Sequence, residues 1–116
     1  MVQFEDKDKV LLVILLLEVM NADSIISDNE VKYYNWIKSN FDINETHFQQ
    51  GQNYDPNLAV MELKDMPDEK KSAFCKIIRT MGNIDTEPFD ATKEAVEHIL
   101  VKARLLESVK RFPNPF

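Results

Sequence analysis

From Val10 to Met20 the chain reads VLLVILLLEVM, in which Glu18 is the single residue that is not apolar. A helix over this run is greasy on nearly every side, and such a helix belongs in the middle of a globule with partners around it. The spacing predicts helix one from about Glu5 to Asn21, with acids in its first turn that suit the positive end of a helix. Ser27-Asp28-Asn29-Glu30 then supplies a capping box. In it the Glu30 amide donates to the Ser27 hydroxyl, and the Ser27 amide donates to the Glu30 carboxylate. Ile26 is placed to pack on Val31 as a hydrophobic staple, and helix two carries Val31, Tyr34, Ile37 and Phe41 along one face. Tyr33, Tyr34 and Trp36 read as core and core-edge aromatics; an exposed Trp or Tyr there would mark an interface.

Caps and breakers set the remaining elements. Asn44 is placed to cap a short helix over Glu45 to Asn53, on which His47 reads as a surface residue. Asp55-Pro56 is a second start, with Asp as cap and Pro at the first helical position, leading to Leu58, Met61 and Leu63. Met66-Pro67 breaks that helix, and Pro67 opens the next in the same way. There Ala73, Phe74, Ile77, Ile78 and Met81 recur at helical spacing, with Gly82 as the stop. Asn83 to Phe89 reads as a loop. Asp90 caps one long final helix whose apolar arc is Ala95, Val96, Ile99, Leu100, Ala103 and Leu106. Two prolines make Arg111 to Phe116 an extended tail. No stretch reads as a strand of useful length.

An apolar helix, an acidic loop and a capped amphipathic helix occur twice, in Val10 to Phe41 and in Ala73 to Leu106. The expected fold is all-α, a compact bundle of about five to seven helices containing two pseudo-repeated helical hairpins. Residues 1–116 make one domain, long enough to bury roughly two thirds of the unfolded chain's surface without a metal or disulfide.

Charge narrows the function. Twenty acidic against fourteen basic residues give −6, which excludes a nucleic-acid binder that needs a basic stripe. The apolar run is too short for a membrane span, so no direct membrane insertion is expected. The net-negative start and Asn21-Ala22-Asp23 do not suit a secretory signal. Cys75 has no second cysteine to pair with, which fits the reducing cytoplasm.

Asp23, Asp28 and Glu30 crowd one loop and helix start, and two readings stay open. Their oxygens are hard ligands for Ca²⁺ or Mg²⁺, or they simply favour the positive helix end with Glu30 as the box residue. No EF-hand loop with a central Gly and terminal Glu is present. Glu94 and His98 lie four apart on the last helix, a spacing that reads first as a surface contact. Two histidines and one cysteine, with no further ligand beside them, do not point to a zinc site. Cys75 reads as a small hydrophobe beside Phe74, and no catalytic motif or glycine-rich phosphate loop occurs, so no enzyme is expected. Lys70, Lys71, Lys76 and Arg79, with Lys64, form a basic strip. It is either a solvated face or a docking strip for an acidic protein or a neighbouring copy of the chain.

The doubled pattern resembles the tellurite-resistance TerB-like family, in which an apolar helix leads into A-D-G-x-I-x-x-x-E and an amphipathic helix, with a related pattern near the C-terminus. Here the first copy is Ala22-Asp23-Ser24-Ile25-Ile26-Ser27-Asp28-Asn29-Glu30, with Ser24 where the family has Gly. The second, Asn83 to Glu94, keeps an Asp and a Glu at altered spacing. The resemblance implies an all-helical fold of bacterial tellurite- and stress-resistance systems, and a divalent cation held by the acidic loops at Asp23 and Glu30, with Asp85 and Glu94 as the second pair. The expected function is a non-enzymatic protein-interaction module, with divalent-cation binding as the alternative.

Overall fold

The computed structural model describes residues 2–85 and 90–116, and among them it contains seven helices and no strand. They run α1 (Asp6–Asn21), α2 (Asp28–Asn40), α3 (Glu45–Gln52), α4 (Pro56–Lys64), α5 (Asp68–Gly82), α6 (Asp90–Lys102) and α7 (Leu105–Arg111). Extents of 32 × 30 × 25 Å describe a closed all-α bundle and not a solenoid. None of these helices is long and apolar enough to cross a membrane.

α1 is the axis of the bundle. Leu11 to Leu16 are buried, Leu17 is half-buried and Glu18 points out. α3, α4, α5 and α6 all pack on α1, which is why a helix with no polar face is tolerated here. Each fully buried Leu or Ile on it contributes about 1.5–3 kcal/mol. Asp8 closes the first turn by accepting from the Glu5 N–H at 2.8 Å.

Local signals placed the helix starts. The Ser27 box forms in both directions, Glu30 N–H to Ser27 Oγ at 3.1 Å and Ser27 N–H to Glu30 Oε1 at 3.0 Å. Asn44 Oδ1 accepts from the His47 N–H at 3.0 Å, and Asp55 Oδ1 accepts from the Asn57 N–H at 2.9 Å, with Pro56 opening α4. α2 stops in a Schellman turn: the Ile43 N–H reaches back to the Lys38 carbonyl at 3.0 Å, and Asp42 between them takes a φ of 53°.

Several expected faces are rotated. On α2 only Ile37 and Phe41 of the apolar set are buried, while Val31 and Trp36 are exposed and Ile26 with them. On α4 the buried side chains are Ala59, Val60 and Leu63, and Leu58 and Met61 face solvent. Pro67 occupies the cap position of α5, so the helix begins one residue later than expected. The single long C-terminal helix is two. Arg104 sits at φ 56° and breaks it, turning Leu105 and Ser108 inward and leaving Leu106 outside. Asp90 lies in the first turn of α6, and its cap falls outside the described residues, as does most of the loop before it. The tail past α7 does not stand off the bundle. Ser72 Oγ donates to the Phe112 carbonyl, the Val2 N–H donates to the Pro115 carbonyl at 3.4 Å, and the Phe116 ring meets Phe41 at 5.7 Å.

Both glycines serve close helix contact. Neither has a positive φ. A Cβ at Gly51 would lie 2.5 Å from Val13 Cγ1, and one at Gly82 would lie 2.4 Å from Val96 Cγ2. Gly82 is the last residue of α5, the expected stop of that helix, and its bare backbone lets Val96 of α6 pack against it.

Candidate functional site

The acidic loop after α1 turns on local chemistry. Asp23 Oδ1 accepts from the Ile25 N–H at 3.0 Å, an Asx turn, and Ser24 between them adopts φ 64°. Ser24 thus stands in the left-handed region that favours glycine. This turn delivers the chain into the Ser27 cap.

The second acidic loop meets the first. Asp85 Oδ1 accepts from Ser27 Oγ at 3.1 Å and from Asn29 Nδ2 at 3.2 Å. Glu30 is buried beneath the cap. Burial pushes its carboxyl above the usual range; the Ser27 hydrogen bonds oppose this, and the charges of Asp23 and Asp85 add to it. Glu30 therefore senses both Asp23 and Asp85, though about half the chain separates Asp85 from the first loop. Glu94 stands exposed on α6 and makes no ion pair among the described residues. Among those residues no three His, Cys, Asp or Glu side chains gather closely enough to hold an ion. The donor oxygens are of the right hard type for Ca²⁺ or Mg²⁺.

Around the junction the surface is aliphatic. Ile25 and Ile26 on the loop and Val31 in the first turns of α2 are all exposed, Ile25 the most at 60%. Farther along α2 the Trp36 ring, 54% exposed, stacks on Tyr33 with centroids 5.9 Å apart and planes 9° from parallel.

The basic strip divides in two. Lys70 Nζ pairs with the buried Asp8 at 2.7 Å, tying α5 to α1. Lys71 is buried and donates to the Lys64 carbonyl at 3.1 Å, where a cation suits the C-terminus of α4. Lys76 and Arg79 are exposed, with Lys76 Nζ 5.1 Å above the Phe116 ring. Burial pushes the Cys75 thiol up, with Arg79 opposing, so the thiolate is disfavoured.

Sequence reasoning missed two clusters. His47 is buried, not on the surface: its Nδ1 accepts from the Asn44 N–H at 3.0 Å and its Nε2 lies 2.8 Å from Asp6 Oδ1. An accepting Nδ1 assigns the proton to Nε2, which donates to Asp6. Lys7 Nζ pairs with Glu62 at 3.0 Å, and the Tyr54 hydroxyl donates to the same carboxylate, holding it below its ordinary range. Only tertiary structure brings these residues together. A cleft of about 640 Å³ opens beside them between α1 and α3, and its two charged members, Asp6 and Lys7, are already paired within the chain.

Fold and junction define a small all-α bundle in which two acidic loops meet at a capped helix start. Among solved structures the chain is similar to a protein of unknown function from Porphyromonas gingivalis W83, with a TM-score of 0.72 over 96% of this chain and 98% of that one, at 15% identity. An identity that low carries the fold alone. No family model matches the chain, and no curated protein does.

Proposed function

We propose that this chain is a non-enzymatic interaction module of TerB-like type, working in the cytoplasm within a stress- or tellurite-resistance system and contacting another protein or a second copy of itself. The observation that carries the reading is the placement of Ile25, Ile26, Val31 and Trp36 on the solvent side, at and beyond the meeting of the two loops. Exposed apolar groups gathered on one helix and its entry loop are what a partner covers. Chemical cross-linking and light scattering on wild type, Ile25→Asp and Trp36→Asp test it. A stoichiometric complex or dimer in the wild type that both variants lose supports the reading. A wild type that stays a lone monomer and captures nothing that the variants do not also capture removes it.

A second reading is divalent-cation binding, and the charges of Asp23 and Asp85 acting on the buried Glu30 support it. An ion would relieve that repulsion by drawing Asp23 and Asp85 in toward Glu30. The left-handed Ser24, standing at the family's Gly, supports the same kinship. Calorimetry with Ca²⁺, Mg²⁺ and Zn²⁺ on wild type and Asp23→Asn decides it, and absence of wild-type heat rejects it.

A further inference from the structure

A groove of about 350 Å³ lies between the last turns of α5 and the outer sides of α6 and α7. Its apolar wall is made by Val96, Leu100 and Leu106, and Leu106 keeps 46% of its surface in solvent. The bare backbone of Gly82 lets Val96 settle deep against α5, so the floor is aliphatic and free of a side chain from that position. Arg79 from α5 and Lys93 from α6 also line it, and among the described residues Glu97 is the one carboxylate in the lining. Among the described residues, two cations face one carboxylate there, in a chain whose net charge is −6. Sites of a few hundred Å³ with aliphatic walls and a small number of fixed polar groups suit small organic ligands.

We propose that this groove binds a monocarboxylate bearing a short aliphatic chain, a site separate from the interaction face on α2. The carboxylate sits between Arg79 and Lys93, where a guanidinium offers paired donors to its two oxygens. The chain lies along Leu100 and Leu106 and removes their methyl groups from water. Glu97 selects for a single negative charge, since a dianion would meet it as a like charge.

Octanoate, below its micellar concentration, is the probe. Titrated into the intact ¹⁵N-labelled chain, it should shift the amides of Gly82, Asn83, Val96, Leu100 and Leu106 saturably. Octanol and inorganic phosphate should each bind at least about fivefold more weakly, and Lys93→Gln should weaken octanoate by about fivefold, the upper range for an exposed charge contact. Leu106→Asp, checked for native circular dichroism, should abolish the shifts. Octanol binding as well as octanoate, shifts spread over other surfaces, no saturable shift in the wild type, or indifference to Lys93→Gln would each overturn the proposal.

Discussion

Asp85 and Ser27 stand 58 positions apart in the chain and share a hydrogen bond of 3.1 Å. It joins the loop after α5 to the cap of α2, so the two acidic loops act on one carboxyl, that of Glu30. Because Glu30 is held above its ordinary pKa by burial and by Asp23 and Asp85, the folded state binds its proton more tightly than the unfolded state does. The sign of the linkage follows: stability contributed by protonated Glu30 is full below the unfolded pKa and is lost as pH rises through the folded one. Glu30→Gln keeps a capping-box side chain and removes the charge. Its melting temperature should exceed that of wild type at pH 7, and the difference should shrink in thermal melts taken toward pH 4. A gain that is the same at both pH values would disprove the account.

Ser24 holds φ 64°, a conformation that costs an ordinary residue about 1–2 kcal/mol and glycine nothing. Glycine gives back part of this through its freer unfolded chain. Ser24→Gly should therefore stabilise by about 0.5–1 kcal/mol in urea titrations at an unchanged m-value. Destabilisation would mean that the Ser24 side chain makes a contact that outweighs the strain.

What could be read from the sequence was mostly local. The caps at Ser27, Asn44 and Asp55 bond to amides two or three positions on, so each is specified within one turn. The run from Leu11 to Leu16 declared its burial by having no polar alternative. The break at Arg104 left no such mark, because no Gly or Pro stands there, although the residue takes a positive φ and the next, Leu105, is fully buried. His47 looked exposed because its neighbours are polar; its second partner, Asp6, lies 41 positions away. Lys70 and Lys71 looked like a surface strip for the same reason. Of the candidate metal ligands, proximity of Asp85 to the first loop was visible only as a repeated pattern, and Glu94 falls outside that meeting.

The division of the lysines is measurable. Removing Lys70 leaves Asp8 buried without its cation, whereas Lys76 rests on an exposed ring. Lys70→Ala should cost about 1–3 kcal/mol, below the full penalty for a deeply buried pair because Lys70 is partly solvated. Lys76→Ala should stay within about 0.5 kcal/mol. Equal effects in chemical denaturation would show that the pair with Asp8 contributes nothing to folding.

The Tyr34 hydroxyl is buried and has no hydrogen-bond partner among the described residues. Burial, with the Glu45 charge adding to it, pushes its pKa up to about 12. Tyr34→Phe keeps the ring that meets Phe48 edge-on at 6.3 Å and removes the unpaired group. The variant should be more stable by about 1 kcal/mol, read as a higher denaturant midpoint. A loss of stability would reveal a partner for the hydroxyl in solution.

Gly51 and Val13 decide how closely α3 approaches α1. In an exposed helix, Gly→Ala stabilises by about 1 kcal/mol through propensity alone. At Gly51 the new methyl would come within 2.5 Å of Val13 Cγ1, 2.7 Å of its Cβ and 3.1 Å of the Val10 carbonyl oxygen. Val13 is fully buried and β-branched, with little rotamer freedom in a helix, and the carbonyl belongs to the central helix, so neither yields cheaply. Overpacking of this kind costs about 1–3 kcal/mol and should outweigh the propensity gain. Gly51→Ala should unfold at lower denaturant than wild type, and the double variant Gly51→Ala with Val13→Ala should lose less than the two single changes summed, because the second removes the clash created by the first. Strict additivity of the two changes would show that α3 shifts away from α1 freely, and that the contact does not position the helix.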